Sequence, residues 1–300
     1  MLDGGLGREL RFRGVTIPET IWSAGSLISD PDIVRQIHID YINAGADIIT
    51  TNTYGVIRND LAKEQIEDRF TELNILACKL AREAREKSER KILIAGALPP
   101  LRGSYRSDLV GPFDEIFPLY LEQAQILAPY VDILLCETMS SGLEGFAAAK
   151  AACSTGKSVW VSWTLHEDRS GNLRSGELAE EAVKSLAGLE VSGYLANCCA
   201  PESVTQFLSQ LSRAGVKWAG GYANTFAPVP EDWTLDGSNA TDGLLPLRSE
   251  LDPDNYCLHV ADWLLKGANV VGGCCGTRPA HTAAMRNLLD GIPLDPRGDC

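Results

Sequence analysis

The feature that most constrains this chain is a regular alternation. Short, continuously apolar or β-branched runs are separated by helical patterns from one end to the other. The runs are Met1-Leu2 leading into Asp3-Gly4-Gly5, then 46–51, 92–97, 131–137, 159–164, 193–198, 218–224 and 268–274. Continuous apolar runs, rather than strict alternation, mark parallel strands buried on both faces. Between them lie helical patterns over 30–43, 60–90, 119–129, 141–153, 177–190, 201–214, 254–267 and 278–289. The first opens with Asp30 as N-cap and Pro31 in its first turn, and stops at Asn43-Ala44-Gly45. Eight strands alternating with eight helical segments is the tally of a (β/α)₈ TIM barrel, so the expectation is an α/β single domain over 1–300. An open doubly wound sheet usually has fewer strands, and Gly5-Leu6-Gly7 lacks the third glycine of a dinucleotide fingerprint. The longest irregular stretch, 227–252, follows the seventh strand and reads as a rim loop or lid.

Composition narrows the function. The net charge of −13 argues against nucleic acid or an anionic membrane as partner. Nine cysteines scattered through apolar runs are not a disulfide framework. No apolar run of about 18 residues is present, and the start of the chain has neither a basic nor an apolar segment. The expectation is a protein of a reducing cytoplasm.

In a TIM barrel, chemistry sits at the carboxyl ends of the strands. That register holds Asp3, Thr51 with Asn52, Glu137, Asn197 with Cys198, Asn224, and Cys274 with Cys275. Asn52 and Asn224 read as caps or turn residues. Glu137 is a poor N-cap, and Ser140 and Ser141 can serve instead, so its carboxylate is expected to face a ligand. Asp3 is a weaker signal, because Asp-Gly is also a common turn. The pairs Cys198-Cys199 and Cys274-Cys275 each close an apolar run. Two strand ends that present thiols can meet, and three thiolates there make a Zn²⁺ site with one open position, the layout of a catalytic zinc. A fourth thiolate would close it. The competing reading is that small, apolar cysteine suits crowded strand ends. His38, His259 and His281 lie in helical patterns and read as surface or interface residues; His166 lies in a loop. Cys78, Cys153 and Cys257 read as filler, and Cys136 should point away from Glu137.

These residues together resemble the homocysteine S-methyltransferase family. The matching segments are Asp3-Gly4-Gly5, Thr51-Asn52-Thr53-Tyr54, Glu137-Thr138, Asn197-Cys198 and Gly272-Gly273-Cys274-Cys275-Gly276-Thr277, in family order across the chain. The resemblance implies a (β/α)₈ barrel whose Zn²⁺ is held by Cys198, Cys274 and Cys275, with homocysteine sulfur as fourth ligand. Cys199 is adjacent, and a one-residue slip would exchange it with Cys198; Cys198 is preferred because it directly follows Asn197. The resemblance also implies that Asp3 and Glu137, the residues expected to carry catalysis, hold the homocysteine ammonium. Its carboxylate would meet backbone near Gly4 and Thr51. The methyl donor should be an onium compound. Because the chain stops soon after the eighth helix, as short family members do, a sulfonium is expected, S-methylmethionine or S-adenosylmethionine rather than betaine. Tyr54, Trp163 and Phe226 are the aromatic candidates at the mouth, and Arg278 is the nearest cation to the thiol motif. Alternatives are a betaine- or selenium-analogue-specific enzyme, a zinc hydrolase, or a non-catalytic zinc or thiol-binding barrel needing Cys199 as fourth ligand. A monomer or small homo-oligomer is expected.

Overall fold

Seven parallel strands follow one another around a single curled sheet in chain order: β1 (Ile48–Thr50), β2 (Leu93–Leu98), β3 (Ile133–Met139), β4 (Ser158–Trp163), β5 (Val191–Asn197), β6 (Trp218–Ala223) and β7 (Val270–Gly273). The structure is a computed structural model and describes residues 1–18, 20–211, 217–230, 233 and 245–291. The eighth stave is the segment 1–3. Leu2 N donates to Val271 O at 2.9 Å and Gly273 N to Asp3 O at 3.0 Å on one side. On the other, Ile48 N donates to Met1 O and Asp3 N to Ile48 O, both at 3.0 Å. The first expected strand is therefore a single parallel bridge, Leu2 to Ile48, that closes the ring without forming a regular strand. Gly4 and Gly5 follow at once, and the chain turns there into a helix.

Among the described residues the helices are α1 (Leu6–Phe12), α2 (Gly25–Ser29), α3 (Pro31–Asn43), α4 (Arg58–Lys63), α5 (Phe70–Glu86), α6 (Phe113–Leu127), α7 (Gly142–Cys153), α8 (Ala179–Ser185), α9 (Pro201–Gln210), α10 (Pro253–Leu265) and α11 (Pro279–Asp290). Asp30 caps α3 by accepting from Ile33 N at 3.3 Å, as its sequence signature predicts. The long 60–90 pattern breaks into α4 and α5 around Gln65, whose φ is 59°. Helix α6 starts earlier than expected and carries Pro118 inside it. The expected helix over 201–214 ends at Gln210, and 212–216 lie outside the described residues, as do 231–232 and 234–244 of the expected rim loop.

Strand side chains divide by the pleat into two cores. Leu2, Ile48, Ala95, Ile133, Leu135, Trp160, Leu195, Tyr222 and Val270 fill the barrel interior. A larger apolar layer lies between sheet and helices and includes Cys136, Cys199 and Trp163. Two expectations fail here. His38 is not a surface residue: it is fully buried with neither ring nitrogen bonded among the described residues, and burial pulls its pKa down to about 4, which keeps it neutral. Trp163 is not at the mouth: it sits three residues after interior Trp160, hence on the opposite face, packed on Tyr194 and Phe207. No helix among the described residues is long and apolar enough to cross a membrane.

Candidate active site

The carboxyl ends of the staves surround a cavity of about 120 Å³. Its floor is the thiol trio. The Sγ atoms of Cys198, Cys274 and Cys275 all lie within 4.8 Å of one another. Cys198 reaches the trio because it leaves β5 in the left-handed region, with φ of 51°. Asn197, just before it, is a buried clamp across three strand ends. Its Oδ1 accepts from Thr138 N at 2.8 Å and Ser162 Oγ at 2.7 Å, and its Nδ2 donates to Thr138 Oγ1 at 2.9 Å. Cys274 and Cys275 sit in the turn after β7. Thr277 Oγ1 donates to Cys274 O at 2.7 Å, and Thr225 N to Cys275 O at 3.0 Å. Gly276 has φ of 85°, and a Cβ there would meet Thr225 Oγ1 at 2.1 Å, so the turn admits no side chain.

Three thiols this close share protons. The Cys275 thiol is held well below its ordinary value, first by hydrogen bonding from Cys198 and then from Cys274. A tetrahedral metal with M–S of about 2.3 Å separates its sulfurs by roughly 3.8 Å. The Cys198–Cys275 separation is 3.7 Å. The donor set therefore suits a thiolate-binding metal with one position left for a ligand. Cys199 does not join the trio. Its side chain is fully buried in the layer between sheet and helices, where burial pushes its thiol well up.

Two buried carboxyls line the same cavity. Glu137, on β3, accepts from the Tyr222 hydroxyl at 3.2 Å and carries no cationic partner among the described residues. Burial first, and then the nearby Cys198 sulfur, push its pKa up to about 8. Asp3 is fixed by Thr50, which donates from N at 2.8 Å and from Oγ1 at 3.1 Å, yet burial still raises its pKa to about 7. Two desolvated carboxyls on one cavity, without a cation among the described residues, are chemically suited to receive one. Gly4 and Thr51 also line the cavity. The Gly4 amide has no hydrogen-bond partner among the described residues, whereas Thr51 N is donated to Ala95 O at 2.9 Å. The backbone available to a ligand carboxylate is therefore that of Gly4, not the Thr51 amide. Asn52 and Asn224 are local anchors: Asn52 Nδ2 donates to Ser23 O at 2.9 Å, and Asn224 Oδ1 accepts from Phe226 N at 3.1 Å.

The walls are aromatic. Tyr54 and Phe226 line them as the sequence suggested, but so do Trp22, Tyr105, Tyr222 and Trp233. Tyr105 places its hydroxyl 2.9 Å from Cys198 Sγ and meets Trp233 edge to face at 5.2 Å. Trp22, Tyr105, Thr138 and Cys198 all line the cavity with positive φ, between 47° and 68°. Backbone held in this sparsely populated region clusters where function requires a fixed geometry. Arg278 lies away from the cavity, paired with Glu9 at 2.8 Å and stacked on Phe12.

Comparison with known proteins gives a consistent answer. The family model described as Homocysteine S-methyltransferase matches residues 1–289. The chain is similar to the homocysteine S-methyltransferase of Escherichia coli (strain K12), at 28% identity over 310 residues covering 95% of this chain and 94% of that protein. It is also similar to homocysteine S-methyltransferase 4 of Zea mays, at 27% identity, covering 96% of this chain and 89% of that protein. Among solved structures, it resembles the metallated form of the homocysteine methyltransferase MmuM from Escherichia coli, with a TM-score of 0.78 and 26% identity over 96% of this chain and 95% of that one.

Proposed function

The chain belongs to the homocysteine S-methyltransferase family, and from that premise we propose that it moves a methyl group from a sulfonium donor to the thiol of homocysteine, forming methionine. Residues 1–300 are read as one homocysteine-binding barrel domain. S-methylmethionine is the donor we favour, ahead of S-adenosylmethionine. The observation that carries this reading is the convergence of Cys198, Cys274 and Cys275 on one cavity with Glu137 and Asp3.

The metal proposed for the trio is Zn²⁺, which bound there would supply an open position where the acceptor's sulfur is held as a thiolate at neutral pH. The other residues bind and orient. Glu137 and Asp3 take the homocysteine ammonium, and its charge offsets the desolvation that raises the pKa of both carboxyls without it. The Tyr222 hydroxyl and the Thr50 contacts fix where those carboxylates point. The Gly4 amide is placed to meet the carboxylate. The aromatic wall faces the donor and stabilises a sulfonium by about 0.5–2 kcal/mol, while excluding water.

In the transfer the acceptor sulfur's electron pair forms the new S–CH₃ bond. The donor's S–CH₃ bond breaks with its pair returning to the donor sulfur, which leaves as a neutral thioether. No general acid is needed. The acceptor's thiol proton is lost to solvent when the sulfur ionises. Holding the two sulfurs and the methyl in line can contribute on the order of 7–11 kcal/mol.

The experiment is a donor panel. Purified metal-loaded protein is given homocysteine with S-methylmethionine, S-adenosylmethionine or betaine at equal concentration, and methionine is measured. Sulfonium turnover should exceed betaine turnover, and S-methylmethionine should yield two methionines per donor consumed. Betaine turnover above both sulfonium compounds would overturn the donor assignment.

A further inference from the structure

Helix α1 places a cation beside the thiol trio that neither the strand-end register nor the family resemblance singled out. Arg8 is 9% exposed. Its guanidinium lies over the Phe226 ring, 4.5 Å from the centroid, and one Nη donates to the Leu245 carbonyl. Its Nε is buried without a hydrogen-bond partner among the described residues. Among the described residues no carboxylate pairs with it. Glu9, next along the helix, is committed to Arg13 at 2.9 Å and Arg278 at 2.8 Å. Arg11, one turn on, is a like charge turned to the Trp22 ring at 5.1 Å.

An arginine cannot shed its proton, and a buried charge without a counter-charge is strongly disfavoured. Among the described residues, the group placed to serve Arg8 as a counter-charge is the trio. Phe226, the ring that Arg8 covers, packs in one apolar group with Cys198, and Cys274 and Cys275 lie against the same group. The same helix starts against the thiol-bearing turn: a Cβ on Gly5, one turn before Arg8, would meet Cys274 O at 2.6 Å and Cys275 Cα at 3.1 Å. Three thiolates on a divalent cation leave a net negative centre, and an ionised acceptor sulfur adds a further negative charge. In a poorly solvated cavity such charge needs a fixed cation nearby.

We propose that Arg8 is the fixed counter-charge of the three-thiolate centre, a positioning residue that favours metal retention and an ionised sulfur at the open position. The inference deepens the metal-site reading above and does not depend on which compound donates the methyl group.

The test compares Arg8→Gln and Arg8→Lys with the parent, each checked for fold by circular dichroism. Zinc retention is titrated against a competing chelator, and the sulfur-to-metal charge-transfer band is recorded on the cobalt-substituted proteins. Arg8→Gln should bind zinc on the order of 10- to 100-fold more weakly, the usual cost of losing an outer-shell partner, with a shifted band. Arg8→Lys, which keeps the charge, should stay within a few-fold of the parent. Equal affinity and an unshifted band in Arg8→Gln would overturn the proposal. So would an equal loss in both variants, which would make the role one of packing. Methyl transfer is not the readout, so failure of the donor reading leaves this result standing.

Discussion

Glu137→Gln should make the protein more stable and less functional, and the structure sets the size of both effects. Burial raises the Glu137 pKa from its ordinary 4.5 to about 8. At pH 7 the unfolded chain carries this side chain ionised, while the folded protein without ligand keeps it protonated. A group whose folded pKa is raised costs nothing below the unfolded value, and its penalty grows as pH rises towards the folded value. At about 1.36 kcal/mol per pH unit, the penalty is under about 1 kcal/mol at pH 5, about 3 at pH 7, and levels off near about 5 above pH 8. Glutamine has nearly the same shape and can still accept from the Tyr222 hydroxyl, which lies 3.2 Å from Glu137 Oε2. Unfolding by urea, monitored by circular dichroism on metal-free protein at pH 5, 7 and 8.5 without homocysteine, should show the variant gaining stability over the parent as pH rises. A difference that does not change with pH, or a parent more stable at pH 8.5, would refute the reasoning. In the same variant the homocysteine KM should rise by roughly 10- to 150-fold, from loss of a charge-assisted hydrogen bond of about 1.5–3 kcal/mol, with metal content unchanged. An unaltered KM would remove Glu137 from the ammonium site.

Cys274→Ser should lose both metal and activity, while Cys199→Ser should keep most of both; metal content by elemental analysis, alongside methionine formation, reads the pair, and loss of metal in Cys199→Ser would sink the assigned ligand set. Gly5→Ala should weaken metal retention without touching a ligand, because the added Cβ would meet Cys274 O at 2.6 Å and Cys275 Cα at 3.1 Å and must displace the thiol-bearing turn. Chelator competition measures it, and parental affinity in Gly5→Ala would show that the turn can yield.

Much of the fold and the inner site was legible because parallel-strand runs carry their own register. Once the ends of the apolar runs are placed, Asp3, Glu137, Cys198, Cys274 and Cys275 fall on one rim, and the structure puts them around one cavity. The choice between Cys198 and Cys199 lay beyond periodicity. It turns on one left-handed residue, φ 51° at Cys198, which sends adjacent side chains to different cores. Trp22, Tyr105 and Trp233 were missed because they lie outside the strands and α-helices whose periods can be read, two of them at positive φ. Trp163 was misassigned despite a usable signal: counting from interior Trp160, an odd offset places it on the outer face. Arg8 was invisible for a related reason. Gly5-Leu6-Gly7 gives no helical signal, yet α1 begins at Leu6 and carries Arg8 over the Phe226 ring.

The central claim is that homocysteine sulfur completes a metal site that the chain leaves one ligand short. X-ray absorption at the zinc edge, on the metal-loaded protein with and without homocysteine, tests it directly. The account predicts three sulfur neighbours and one lighter atom without homocysteine, and four sulfurs once it is bound, with Cys199→Ser behaving as the parent. Four sulfurs before homocysteine is added, or three that stay three at saturating homocysteine, would contradict it.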